Sequence, residues 1–154
     1  MRAEGAFRAR LASFPEVRGL AEAFGAALGA DHRAILRIVL VLEELFTNTV
    51  THGYPAGSEG PVWVTLASGC GEIEITYEDV APAFNPLTDA STALDQPHAH
   101  EARPPGGLGL ALVRGLSASV GYTRVGDRNR VTLTLSTGSP PPPSPADAPG
   151  PAGA

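Results

Sequence analysis

Glu44, Asn48 and His52 stand four residues apart along the segment DHRAILRIVLVLEELFTNTVTHGY. In a helix this spacing gathers them within an arc of about 80° on one face. The same segment carries Ile35, Leu36, Ile38, Val39, Leu42, Leu45, Phe46 and Val50, so it is apolar almost all round and is predicted to be a central buried helix. A polar stripe on such a helix has to be satisfied, because an unpaired buried carboxylate is costly. Either Glu44 and Asn48 bridge neighbouring backbone, or they belong to a working site. Glu43 points about 100° away and reads as a solvated charge.

A second acid stands out in the run EIEITYED from Glu72. Ile73, Ile75 and Tyr77 share the parity that faces the helices, whereas Glu74, Thr76 and Glu78 face away. Asp79 has the inward parity. An acid at the core-side end of a strand, just before a loop, is either a turn-former or a site residue. The third feature is Pro105-Gly106-Gly107-Leu108-Gly109-Leu110, which opens a helix. Glycines let backbone N–H groups approach an anion closely and the helix N-terminus adds its dipole, so phosphate binding is the natural use of such a turn. It is not the dinucleotide fingerprint, since no strand leads directly into it and no parallel βαβ unit surrounds it. Metal-dependent hydrolysis by Glu44, His52 and Asp79 is disfavoured, because the HExxH spacing is absent.

The elements that must hold these residues follow from periodicity. Ala6 to Leu11 alternates apolar and basic, the period of a half-buried strand. Ser13 and Glu16 form a capping-box pattern with Pro15 in the first turn, and Val17, Leu20, Ala21, Phe24 and Leu28 then recur at helical spacing. Asp31 opens the long helix, which Gly53 should end. VWVTL and EIEITYED, joined by SGCG, read as a hairpin. Residues 80 to 106 have no periodicity and read as a long loop, a feature usually functional or mobile in compact domains. GGLGLALVRGL starts the last helix, and YTRV, GDRN and RVTLTL make a closing hairpin. Antiparallel strands with helices on one face predict an α+β two-layer sandwich.

Length and composition close off other classes. At 154 residues there is room for one domain, and the 43% hydrophobic content is enough to pack its core. The folded unit is expected over 1–136, followed by the Pro/Gly/Ala-rich tail 137–154, which is expected to be disordered. No run of about 18 apolar residues is present to span a membrane, and the arginines of Met1 to Arg10 are followed by no signal-peptide core, so a cytoplasmic location is expected. One cysteine, Cys70, excludes an internal disulfide and a multi-cysteine metal site. All 11 basic residues are arginine, which removes the P-loop lysine and Schiff-base chemistry. A net charge of −5 argues against nucleic acid as the main partner.

Taken together, EELFTNTVTHGY (Glu43 to Tyr54), EDVAPAFNPL (Glu78 to Leu87) and GGLGLALVRGL (Gly106 to Leu116), in this order and separation, resemble the motifs of the GHKL ATPases. This is the superfamily of gyrase, the large heat-shock chaperone and the histidine kinases. Within it the chain is similar to the bacterial anti-sigma-factor serine kinases of partner-switching stress and sporulation circuits. The resemblance covers essentially the whole folded part and implies the Bergerat ATP-binding fold, with ATP and Mg2+ as cofactors.

Residue by residue, the resemblance implies that Asn48 holds the magnesium through its side-chain oxygen and that Glu44 is the general base for the attacking hydroxyl. Asp79 corresponds to the carboxylate that accepts from the adenine amino group. Ala81 and the run Gly106, Gly107, Leu108, Gly109 and Leu110 fall at nucleotide-contacting positions, with Leu87 to Pro105 as a lid and Phe84, Asn85 and Pro86 at its entrance. Two departures stand out. Ala81 replaces a usual glycine, so its methyl could crowd the adenine edge or demand a different turn. Thr132 and Thr134 have the outward parity, so the nucleotide contact that many relatives make with a last-strand threonine is not carried over. His52 is expected to be a hydrogen-bonded structural histidine.

The function implied is a protein serine/threonine kinase that binds a sigma factor or similar regulator and phosphorylates an anti-sigma-factor antagonist domain of the STAS type. The alternative is a nucleotide-binding switch that sequesters its partner without phosphoryl transfer. Retention of Glu44 favours the kinase, since magnesium binding alone would need only Asn48. The outward sheet face, with Trp63, Thr65, Thr132 and Thr134, could take a partner or a second copy of the chain as a homodimer.

Overall fold

The computed structural model describes residues 1–89 and 109–137. Strand β1 (Arg2–Arg8) alternates exposed and half-buried residues and begins earlier than the AFRARL pattern suggests. Its bounds are set by backbone pairing with the next strand, from Arg2 opposite Ala67 to Arg8 opposite Pro61. The chain then leaves the sheet through one 3-10 turn, Leu11–Ser13, so Leu11 is exposed rather than part of the strand.

Helix α1 (Phe14–Leu28) carries Pro15 in its first turn, where the missing N–H costs nothing. The expected capping box does not form. Ser13 has helical backbone angles (φ −85°, ψ −12°), and its hydroxyl instead accepts from Arg10 Nε at 3.1 Å. A side-chain cap needs extended backbone at that residue, which the preceding turn denies. At the other end Gly29 adopts φ 70°, and the N–H groups of Gly29 and Ala30 return to the carbonyls of Ala26 and Gly25.

Helix α2 (His32–Asn48) is capped by Asp31, whose Oδ1 accepts from Ala34 N–H at 2.7 Å. It buries Ile38, Val41, Leu42, Leu45 and Phe46. Leu36, however, is 46% exposed, so α2 is amphipathic rather than buried all round. The chain continues as a π-helical turn, Thr49–Gly53, and straightens at Tyr54.

Strands β2 (Pro61–Gly69) and β3 (Glu72–Asp79) form the expected hairpin. Cys70 (φ 52°) and Gly71 (φ 78°) make a two-residue turn with both central residues at positive φ, whose twist matches the flanking strands. A short helix, α3 (Pro86–Asp89), lies where no element was expected. Helix α4 (Gly109–Leu116) and the hairpin of β4 (Ser119–Val125) and β5 (Arg128–Ser136) complete the chain.

The sheet is antiparallel throughout, in the order β1-β2-β3-β5-β4. Its inward face pairs Ile73 with Leu135, Ile75 with Leu133 and Tyr77 with Val131. These side chains meet Phe46, Leu42 and Val113 in one core cluster, which is the predicted α+β two-layer sandwich. Each fully buried side chain of this size contributes about 1.5–3 kcal/mol relative to exposure. The next pair along the same column is polar: Asp79 opposite Asn129.

Candidate functional site

Asp79 and Asn129 extend the inward column to the edge of the core, and both are buried, at 7% and 6% exposure. A buried carboxylate needs donors, and three surround it. Asn129 Nδ2 donates to Asp79 Oδ1 at 2.7 Å, and Ala81 N–H donates to the same oxygen at 3.1 Å. The Thr49 hydroxyl lies 3.1 Å from Asp79 Oδ2 and 3.1 Å from the Leu45 carbonyl, so one proton serves both. Tyr77 in turn donates to Thr49 Oγ1 at 2.8 Å. Burial pushes the Tyr77 hydroxyl well above its ordinary value, against the pull of the Thr49 contact, so it stays a neutral donor. Acceptor capacity remains on Asp79 Oδ2.

The π-helical turn positions Thr49 and Tyr54. Its i→i+5 bond, Tyr54 N–H to the Thr49 carbonyl at 3.1 Å, widens the helix after Asn48. Tyr54 then donates to the Pro61 carbonyl at 2.6 Å and accepts from Val80 N–H at 2.9 Å, tying the start of β2 to the exit of β3. Burial raises the Tyr54 pKa, the Val80 contact lowers it and the Asp79 charge adds to the rise. The widened turn also overturns the expectation for His52. That residue is exposed and its imidazole has no hydrogen-bond partner among the described residues, because the i+8 position no longer falls on the α-helical stripe.

Asn48 and Asp79 line one cleft with Leu45, Thr49, Gly53, Tyr77, Ala81, Phe84, Pro86, Asn129 and Val131. Its volume is about 30 Å³, one water's share of liquid volume against the roughly 300–1,000 Å³ of ordinary ligand pockets. As it stands the cleft is smaller than a nucleotide base. Thr49 and Gly53 of the π-helical turn, Ala81 and Phe84 of the loop after β3, and Pro86 at the start of α3 form the walls outside α2 and the sheet.

Glu44 lies one turn before Asn48 on α2 and is half-buried. Burial raises its carboxyl pKa, and the neighbouring Glu43 charge adds to the rise. Ala81 sits without strain, since Cys70 is the one non-glycine with positive φ among the described residues. Its methyl is buried, and its carbonyl accepts from Arg124 Nη1 at 2.9 Å and Asn129 Nδ2 at 3.1 Å. Gly109 and Leu110 open α4, where Arg114 reaches back to the Leu87 carbonyl. Gly106, Gly107, Leu108 and most of Leu87 to Pro105 lie outside the described residues, as does the expected tail from residue 138.

Asn129, Thr49 and the Tyr77 hydroxyl were not singled out from the sequence. Asn129 did carry a signal: it has the inward parity of Val131, Leu133 and Leu135, and it is the polar residue in that column.

The sequence of residues 7–135 matches the histidine kinase-like ATPase domain. The chain belongs to this family. Two solved structures are similar to the chain. The RsbU and RsbW domains of Rv1364c from Mycobacterium tuberculosis superpose with a TM-score of 0.61 at 23% identity, covering 88% of this chain and 32% of that one. The Acinetobacter baumannii histidine kinase AdeS gives a TM-score of 0.46 at 19% identity, covering 89% of this chain and 68% of that one. The chain thus spans about a third of the length of the first neighbour. Among curated proteins none matches. The GHKL assignment and the Bergerat-type α+β fold expected from the three motifs both hold. Among the described residues no helix is long and apolar enough to cross a membrane.

Proposed function

We propose that the chain is an ATP-binding protein serine/threonine kinase that phosphorylates an anti-sigma-factor antagonist domain of the STAS type and binds a sigma factor or similar regulator. The ATP-binding domain is residues 1–136. One observation carries this reading: β3 and α2 bring Asp79 and Asn48 to a single cleft, with Glu44 one turn away.

The residues present fit the cofactors. Asp79 keeps acceptor capacity for an amino group, which suits adenine. Asn48 offers a hard oxygen donor, and no group of three His, Cys, Asp or Glu that could hold a metal exists among the described residues. Magnesium would therefore take most of its ligands from phosphate oxygens and water, its usual preference. Magnesium-bound ATP supplies the phosphoryl group. Glu44 accepts the proton of a serine or threonine hydroxyl as that oxygen bonds to the terminal phosphorus and the bond to the bridging oxygen breaks, releasing ADP. Its raised pKa suits a base, since a carboxylate of higher pKa holds the transferred proton better.

Glu44→Gln tests the assignment. The variant keeps the shape and the magnesium site but removes the base, so ATP binding and partner binding survive while transfer from radiolabelled ATP falls about 100-fold to 10,000-fold. Transfer at the wild-type rate would take the base role from Glu44. No transfer by the wild type to any antagonist domain encoded with it would favour the non-catalytic switch.

A further inference from the structure

Among the described residues, the side-chain amide of Asn129 makes six hydrogen bonds, more than any other side chain lining the cleft. Nδ2 donates to Asp79 Oδ1 at 2.7 Å, to the Ala81 carbonyl at 3.1 Å and to the Pro82 carbonyl at 3.2 Å. Oδ1 accepts from the Tyr122 hydroxyl at 2.7 Å, from Arg124 Nη1 at 3.0 Å and from Phe84 N–H at 3.3 Å. Three acceptors face the nitrogen and three donors face the oxygen, so the amide has one sensible orientation. A flip would set N–H groups against N–H and O–H donors and oxygen against a carboxylate.

We propose that Asn129 is the residue that sets base specificity in this chain, by holding Asp79 in a single pose and tying that pose to the cleft wall. Asn129 Nδ2 and Ala81 N–H together fill both acceptor positions of Asp79 Oδ1. The carboxylate is thereby oriented so that only Oδ2 is left for a ligand. An acceptor fixed in this way favours a base that presents an exocyclic amine and repels one that presents a carbonyl at the same place. The same amide oxygen holds Phe84 N–H, so one lining residue of the cleft is fastened to the group that orients the reading carboxylate. Asn129 acts through Asp79 and Phe84 and is a positioning residue. The inference rests on the nucleotide reading above and adds to it the residue that makes the site selective.

The test compares two ligands that differ only in the amine: ATP and purine riboside triphosphate, which lacks the 6-amino group. The wild type should bind ATP more tightly than the analogue. Asn129→Ala should weaken ATP by about tenfold to a hundredfold, as expected for a hydrogen bond to a charged group, while changing the analogue by less than about threefold. A general loss of packing would weaken both nucleotides alike. Asn129→Thr is smaller but keeps one donor for Asp79, and it should retain part of the preference where alanine loses it, including in the event that the alanine variant does not fold. Tyr122→Phe removes one hydrogen bond to Asn129 without touching Asp79, and it should leave the preference intact. Equal loss of ATP and analogue in Asn129→Ala, or full preference in both Asn129 variants, overturns the assignment of Asn129 while the nucleotide reading stands. A wild type that binds neither nucleotide overturns that reading, and this assignment with it.

Discussion

Partial burial perturbs Glu44, the acid proposed as the base. Desolvation and the adjacent Glu43 both disfavour its charged form, so its pKa lies above the ordinary 4.5. The sign of the consequence is fixed. A base works only when ionised, so phosphoryl transfer should rise with pH through a midpoint above 4.5, and Glu44→Gln should lack that limb in its residual activity. The folded state also binds this proton more tightly than the unfolded chain does. Stability therefore falls as pH rises from 4.5 to the raised value, and Glu44→Gln should remove that loss. Thermal melts of both proteins on either side of that window read the difference. A wild-type melt that moves no more than the variant's would show that the carboxyl is not perturbed. Asn129 is the counterpart among neutral residues, since its value lies in orientation rather than charge.

At the scale of elements, the site exists because α2 does not end cleanly. A continued α-helix would have carried His52 round to the stripe of Glu44 and Asn48. The π-helical turn instead sends His52 to solvent and delivers Tyr54 to the junction of β2 and β3. The fit is close: a Cβ on Gly60 would lie 2.1 Å from the Tyr54 ring, so only glycine lets the chain pass there. Tyr54→Phe should cost about 1–3 kcal/mol in urea unfolding, because it leaves the Val80 N–H and the Pro61 carbonyl without their partner in a part-buried place. An unchanged midpoint would mean that water replaces the hydroxyl at no cost. β3 is a second device. One strand sends Asp79 to the cleft and, one residue earlier, sends Glu78 to the outer face. There Arg130 and Arg128 hold Glu78 at 3.0 and 3.5 Å, and Arg128 stacks on Trp63 at 3.8 Å. The outer face proposed for a partner is therefore built on the strand pair that carries Asp79 and Asn129.

For the molecule as a whole, the order of the strands and of helices α1, α2 and α4, and the inward parity of Asp79, were legible in the sequence, whereas α3 was not. Both follow from short-range periodicity, which the sheet and the helix layer preserve. What escaped was set by tertiary partners. Ser13 and Glu16 spell a capping box, but the 3-10 turn before α1 fixes Ser13 in helical backbone. Leu36 fits an all-round apolar helix, yet no second layer covers that side, and it is exposed. His52 fits the stripe only if the helix stays α. Asn129 lies between Arg128 and Arg130 in what reads as an edge of polar residues, and only the pairing of β3 with β5 reveals that it meets Asp79. Thr49 and Tyr77 look like ordinary helix and strand residues until the fold brings their hydroxyls together.

The proposed division of labour gives Asp79 the reading of the nucleotide and Glu44 the proton transfer. Calorimetric titration of ATP, with and without magnesium, into the wild type, Asp79→Asn and Glu44→Ala tests that most directly. The expected result is magnesium-strengthened binding to the wild type, retained binding to Glu44→Ala and none to Asp79→Asn, whose amide replaces the carboxylate acceptor. No heat from the wild type under either condition, or equal loss in both variants, would contradict it.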